Sequence, residues 1–449
     1  MACSRVRPVF KRICRIPSSG HAVTPMFVQR LDSNLRSYLA RTRILNHFRG
    51  PSPGLPLVNK GISPSLTSLE LRKSSFKTPI SPMSLLACAI KHDGVVQNPL
   101  GAGAYILRKD LIPHLLQYCH KDTLILQIGA QPNSSPHIGT IITFAVAFAI
   151  AHRINLQKDR DVLVSLDIVD TAPSEQVIIN GIKYQRSQRY TGEMETYMKD
   201  YEAILASLHK YWGVRYHIRR QAEFLDDPRV VVAVRKILDQ REELQRSFSP
   251  ETGCLGIRST CPVADCGLAD KYGVRNVYEG AIITFYCPRH GEYSVDITDA
   301  KKINQLEFNT PLRNLLRAKV FANDKQSDWI RVTGQDYAGY YQEQLLWRHI
   351  SHSESSPIII YAPLILDWSG AKLSKSLYVR EGGYDHLILQ GLEYCLSFKK
   401  FQDERKDLAI VFKEVDSWVD EPYRLFRSYS LEYIHALFER AGRCDRMVA

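Results

Sequence analysis

Three groups of residues have types and spacings that can do chemistry. The first is Pro136-His137-Ile138-Gly139-Thr140, where an apolar run ends and a helical pattern begins. A helix N-terminus offers unpaired N–H groups and a positive dipole end to a phosphate. Gly139 lets a flat ligand approach the backbone, and His137 can donate to a phosphate oxygen. A lone His-x-Gly can equally be a simple helix cap. The second group is Lys372-Leu373-Ser374-Lys375-Ser376, just after the tight Trp368-Ser369-Gly370 turn. Two lysines in a Gly/Ser-rich loop can clasp a polyphosphate as mobile point charges; by itself such a loop is an ordinary solvated basic turn. The third is Cys261-x4-Cys266, followed after a hairpin-length spacer by Cys287-x2-His290. Two such knuckles make a closed, tetrahedral Cys3His site for structural zinc. Cys254 is a spare that could replace one ligand. A metal cluster of this kind, rather than disulfides, fits a reducing compartment.

These residues need elements to position them. Leu124 to Ile128 reads as a strand stopping at Gly129, and a polar turn spans residues 131–136. A helix is expected over Ile138 to Ile154 and a second strand over Val162 to Leu166. Strand, helix and strand make a βαβ unit, hence an α/β domain with a parallel sheet. Residues 190–212 and 228–248 read as long polar helices. Residues 254–296 are a Cys-bearing insert. Trp329–Val332 and Ile358–Leu366 supply later strands, with a helix around Tyr340 to Ile350 between them. From Tyr384 onward the chain reads as helices. The two phosphate-type motifs then both lie at strand C-terminal ends, where α/β sheets bind ligands.

The motif pair resembles the two ATP-binding motifs of class I aminoacyl-tRNA synthetases, usually written His-Ile-Gly-His and Lys-Met-Ser-Lys-Ser. Thr140 and Leu373 are the departures here. Within that class the chain is most similar to the class I lysyl-tRNA synthetases, over roughly residues 100–400. Gly129 to Thr140 is similar to that family's Pro-Ser-Gly-Leu-Pro-His-Ile-Gly turn. Ser165 to Pro173, with Asp167 and Asp170, looks like its acidic segment. Tyr211 to Leu244 is similar to its helical insert. Val332-Thr333-Gly334-Gln335-Asp336 resembles its Gly-Lys-Asp-His element, with Tyr337 in place of His.

The resemblance implies a Rossmann-like parallel-sheet catalytic domain with helical and zinc-ribbon-like insertions and a short helical C-terminus. It implies ATP-dependent activation of an amino acid, lysine by preference, as an adenylate, with ATP, Mg2+ and Zn2+ involved. ATP binding is expected of Pro136, His137, Gly139, Thr140, Asp336, Lys372, Ser374 and Lys375. Among these His137, Lys372 and Lys375 are expected to be catalytic, at the phosphates and the leaving pyrophosphate, and Asp336 to accept from ribose hydroxyls or the substrate amine. Asp167 and Asp170 are expected to hold a cationic side chain or the α-ammonium; turn or cap roles are the alternative. The family carries zinc ribbons at the position of Cys261, Cys266, Cys287 and His290, usually with Cys as the fourth ligand.

Composition bounds the rest. The chain has 449 residues, 45% hydrophobic and 24% charged, as globular proteins do. The longest apolar candidate, Ile141 to Ala151, is too short to span a bilayer, so no membrane is expected. The net charge of +12 resides in residues 1–90, which hold 14 Lys/Arg against Asp32 and Glu70; basic and acidic side chains balance in the remainder. Residues 1–95 are therefore expected to be a basic, Pro/Ser-rich segment, disordered or targeting. An acid-poor, Arg-rich N-terminus suits mitochondrial import; otherwise the location expected is cytoplasmic. Residues 96–190 and 311–380 are expected to form the two halves of the catalytic domain, 191–310 the helical insertion with its knuckles, and 381–449 the helical C-terminus. That C-terminus is too short for a large anticodon-binding region. With the neutral body, this weighs against tRNA as partner, because Lys/Arg contacts to phosphate supply most nucleic-acid affinity. Two alternatives to a synthetase follow: a tRNA-independent, adenylate-forming amide ligase and an inactive binding paralogue.

Overall fold

The computed structural model describes residues 111–157, 160–338, 349–350, 357–374, 378 and 382–448. The basic N-terminal segment, the helix expected around Tyr340, and Lys375 with Ser376 lie outside the described residues. In chain order the main elements begin with β1 (Thr123–Ala130), α1 (Ile138–Asn155) and β2 (Asp161–Ile168). A hairpin of β3 (Pro173–Ile179) and β4 (Ile182–Ser187) follows, then α2 (Glu195–Trp212), β5 (Tyr216–Arg220) and α3 (Pro228–Asp239). The Cys-bearing insert contributes β6 (Ile257–Ser259), β7 (Ala269–Asp270), β8 (Val277–Glu279), β9 (Ile282–Cys287), β10 (Gly291–Asp296) and β11 (Leu306–Phe308). The chain continues through α4 (Thr310–Ala322), β12 (Ser327–Gly334), β13 (Ile358–Ala362), β14 (Ile365–Leu366), α5 (Leu408–Asp420), β15 (Tyr429–Ser430) and α6 (Leu431–Val448).

β1, β2, β5, β12 and β13 form one five-stranded sheet in the order β13-β12-β1-β2-β5. Every pairing in it is parallel. With the five strands numbered in chain order, the sheet reads 3-2-1-4-5 from its β5 edge, so the strand order reverses between β1 and β12, as in a Rossmann-like fold. Two apolar layers flank the sheet. Leu124, Leu126 and Ile128 of β1 belong to the cluster containing α1, α2 and the C-terminal helices; Ile125 packs against the opposite cluster, which contains α3 and α4. The alternation follows from side chains pointing to opposite faces of a strand.

α1 is apolar on almost every side, with Ile138, Ile141, Ile142 and the run Phe144–Ala151 buried. It is long and apolar enough to cross a membrane, and two-thirds of it is buried within the protein. α5 packs across it, which explains why its polar face is missing.

Three elements differ from the sequence reading. The expected single helix over 228–248 breaks at Gln240, whose backbone (φ −97°, ψ 13°) leaves the helical region. Within the stretch likened to a helical insert, Tyr216–Arg220 is the edge strand of the main sheet. Its apolar residues are only Tyr216 and Ile218, an alternation too short to announce a strand by itself; pairing with β2 decides its conformation. The β3–β4 hairpin, turning at Asn180-Gly181, was also not foreseen.

Candidate active site

The first motif caps α1. His137 has an extended backbone, and its Nδ1 accepts from the Gly139 N–H at 3.1 Å. That bond makes Nε2 the protonated nitrogen of a neutral ring, so the cap and a donor to an external oxygen come from one side chain. A Cβ on Gly139 would lie 3.0 Å from His137 Cε1 and 3.1 Å from Nδ1. Any residue with a Cβ would push the ring by a few tenths of an ångström from where it sits. The turn is tied down from outside: Pro136 O accepts from Phe398 N at 2.7 Å, and Ser135 Oγ donates to Asp200 at 2.5 Å while accepting from Lys399 N at 3.0 Å.

The second motif is set by a turn built on Asp367. Its Oδ1 accepts from Ser369 N, Ser369 Oγ and Ala371 N, and Gly370 takes φ +78°, which a residue with a Cβ adopts only under strain. The chain then folds back: Leu373 N donates to Ile365 O and Ser374 N to the Tyr384 hydroxyl, each at 2.9 Å. This delivers Lys372 to the sheet edge, where its Nζ lies 2.6 Å from Asp336 Oδ2. The expected phosphate cation and the expected ribose acceptor are thus partners of one another.

His137, Thr140, Lys372 and Ser374 all line one cleft of about 520 Å³ at the C-terminal ends of β1 and β12, where the strand order reverses. A side recess of about 150 Å³ adds Gly139, Gly334, Asp336 and Ile365. Residues more than 230 positions apart therefore share a cleft at the place where open α/β sheets bind ligands.

Asp167 and Asp170 sit differently from the expectation. Both are almost fully buried and neither lines this cleft. Asp167 stands opposite Arg219 in the β2–β5 register and takes a two-pronged bond from it, at 2.8 and 3.0 Å. Arg317 approaches the same carboxylate at 3.4 Å, and Gln127 Nε2 donates to it at 3.2 Å. Asp170 takes a two-pronged bond from Arg189, at 2.9 and 3.1 Å. Their charge is thus used to hold arginines. Burial pushes the Arg317 guanidinium down to about 10, the Asp167 carboxylate opposing that effect, so the group stays charged at neutral pH.

The sequence reading missed α4 as a functional element. Its N-terminus is capped by Asn309, whose Oδ1 accepts from Leu312 N, with Pro311 in the first turn. One face carries Leu312, Leu315 and Leu316 into the core. Another turns Arg313, Asn314 and Arg317 toward the cleft, all under 7% exposed. An Arg pair at i, i+4 within an apolar helix was the available signal.

The four expected metal ligands converge. The sulfurs of Cys261, Cys266 and Cys287 and one nitrogen of His290 lie within 4.8 Å of one another. Cys266 and Cys287 sulfurs are 3.6 Å apart, and His290 Nδ1 is 3.5 Å from Cys261 and 3.6 Å from Cys287. Those separations are far too long for a disulfide and suit ligands about 2.3 Å from a shared ion. Burial disfavours ionisation of Cys287, but the Arg289 and His290 backbone N–H groups outweigh it and hold the thiol below its usual range. Cys254 is outside the cluster and bonds to Thr252. The cluster packs against Tyr184, Ile179 and Ile182 of the β3–β4 hairpin.

No family model and no curated protein matches the sequence. Solved structures do match at low similarity. A glutamate-tRNA synthetase from Elizabethkingia anophelis is 14% identical, with a TM-score of 0.27, over 58% of this chain and 54% of that one. A chain described as an arginyl-tRNA synthetase from Campylobacter jejuni is 11% identical, with a TM-score of 0.26, over 64% and 66%. A glutamate tRNA ligase from Elizabethkingia meningosepticum is 14% identical, with a TM-score of 0.26, over 58% and 53%. The matches span about half to two-thirds of those chains. Likeness at this level carries no argument about residues or reaction.

Proposed function

We propose that the chain activates an amino acid by adenylation. The substrate carboxylate attacks the α-phosphorus of ATP; the bond from that phosphorus to the bridging oxygen breaks, and pyrophosphate leaves. The observation that carries this reading is the meeting of the His137 turn and the Lys372 loop on one cleft at the reversal point of the sheet. His137 would donate from Nε2 to a phosphate oxygen, beside the positive end of α1. Gly139, Gly334 and Asp336 border the recess that suits the nucleoside. Lys372 would leave Asp336 for the pyrophosphate: both side chains are substantially exposed, at 43% and 35%, and such a pair is worth only about 0–1 kcal/mol. Lys375, outside the described residues, would add a second cation. Mg2+ would neutralise phosphate charge, and Zn2+ on Cys261, Cys266, Cys287 and His290 would stabilise the insert. Catalysis of this kind is mainly positioning and electrostatics.

Lysine, the substrate implied by the resemblance, finds no support in the cleft. Among the described lining residues of the larger chamber there is no carboxylate for an ε-ammonium, and Asp167 and Asp170 are engaged by arginines. The acceptor is either tRNA or a smaller amine or carrier. Amino-acid-dependent exchange of labelled pyrophosphate into ATP, with and without tRNA, tests the reading. Exchange with any amino acid supports adenylation; none with any of the twenty, tRNA present, defeats it.

A further inference from the structure

The cleft carries a one-sided charge. Arg313 and Arg317 reach it from α4 and Arg331 from β12, while no Asp or Glu lines the larger chamber among the described residues. The nearest buried carboxylate, Asp167, is already shared by Arg219 and Arg317, so two positive charges face one negative. Arg331 has no carboxylate partner among the described residues; its guanidinium lies 5.9 Å from the Tyr337 ring centre. A cleft lined by cations and no carboxylate draws an anion into it.

A second observation is independent of charge. Gln127 stands in register with Arg331 on β1 and is 2% exposed. Its Nε2 donates to Asp167 Oδ2 and to Ile128 O, which fixes the orientation of the amide because both partners are acceptors. The amide oxygen, buried in the cleft wall, is left without a donor. A buried acceptor in that state calls for a ligand N–H.

From these two observations we infer that the substrate is an acidic amino acid, with its side-chain carboxylate held by Arg331 and Arg313 and its ammonium donating to Gln127 Oε1. The inference rests on the adenylation reading for where the α-carboxylate goes, toward His137 and Lys372. A neutral amide of the same shape forfeits the charge-assisted bonds, and a cationic side chain meets three arginines.

The test is equilibrium binding by calorimetry on the full chain, with a non-hydrolysable ATP analogue present so that the phosphate end is filled. The ligands are L-aspartate, L-glutamate and L-2-aminoadipate, against L-asparagine, L-glutamine and L-lysine. At least one acid should bind about tenfold or more tightly than its amide or lysine. Arg331→Met should bring that ratio close to one while leaving the affinity for the analogue unchanged. The inference is overturned if no acid outbinds the neutral and cationic ligands, if inorganic phosphate displaces the acid at equal concentration, or if Arg331→Met keeps the preference. Binding needs no turnover. Acid binding without pyrophosphate exchange would sink adenylation and leave this inference standing; exchange with another amino acid and no acid binding would do the reverse.

Discussion

Lys372 and Asp336 are the clearest case of a side-chain pair that has to part for function. Because the pair is well exposed, Lys372→Ala should leave the unfolding free energy within about 0.5 kcal/mol of wild type. It should nevertheless slow pre-steady-state adenylate formation about a hundredfold, with little change in KM, since a cation at the leaving pyrophosphate acts mainly in the transition state. A wild-type rate in the variant would reduce the loop to a basic turn. Asp167 should show the opposite pattern. Asp167→Asn leaves Arg219 and Arg317 buried with no counter-charge, and breaking such a cluster costs about 3–5 kcal/mol. The urea midpoint should fall accordingly; an unchanged midpoint would show that the arginines find compensation elsewhere.

At the scale of elements, α1 is positioned by its first turn. Gly139→Ala keeps the helix and even raises its propensity, but the new methyl group displaces the His137 ring. Exchange activity should drop severalfold, because the ring is pushed by a few tenths of an ångström from the position in which it caps the helix and faces the cleft, while the melting temperature stays put. The proposed zinc would make the insert an element held by metal. Its knuckles share a small cluster with Tyr184 and Leu268, while Ile257, Ile283, Phe285 and Val295 join the larger core, so the metal's contribution falls on the knuckles. Protein purified without chelator should contain one zinc per chain, and Cys287→Ser should lose it and make β9–β10 and the β3–β4 hairpin sensitive to protease. A soluble, zinc-free protein with a protected insert would exclude the site.

On the scale of the whole molecule, the C-terminal helices belong to the catalytic body. Phe398, Phe401, Phe412, Val415, Trp418 and Leu431 lie in the same core as β1 and α1. β15 pairs with β14, seven residues before Lys372, and Arg153 on α1 bonds Asp420 at 2.9 and 3.1 Å. Ending the chain at Ser397 should therefore abolish soluble expression. Trp418→Ala, which removes a fully buried ring stacked 4.3 Å from Tyr429, should cost about 3–5 kcal/mol. A chain starting at Gly101 should keep its exchange activity, since the motif residues 136–140 and 372–376 all follow it. Lost exchange in a soluble truncation would place the N-terminal segment in the enzyme.

Local sequence determined what local forces determine. The apolar run Leu124–Ile128, the His137 cap with Gly139, the Gly370 turn and the paired Cys knuckles each carry their own conformational preference, and all were legible. What tertiary structure alone decided depends on register and on partners distant in the chain. Asp167 read as a free acid because nothing near it in sequence shows that Arg219, 52 residues on, pairs with it across a parallel register. Tyr216–Arg220 became a strand because β2 left an open edge beside it, and two alternating apolar residues, Tyr216 and Ile218, are too short a period-two signal to read from sequence. Nothing local decides where Arg313 and Arg317 point; packing of Leu312, Leu315 and Leu316 turns them toward the cleft. The sign of the cleft's charge comes from Arg313 and Arg317 on α4, Arg331 on β12 and Lys372 after β14, which meet only in the folded chain.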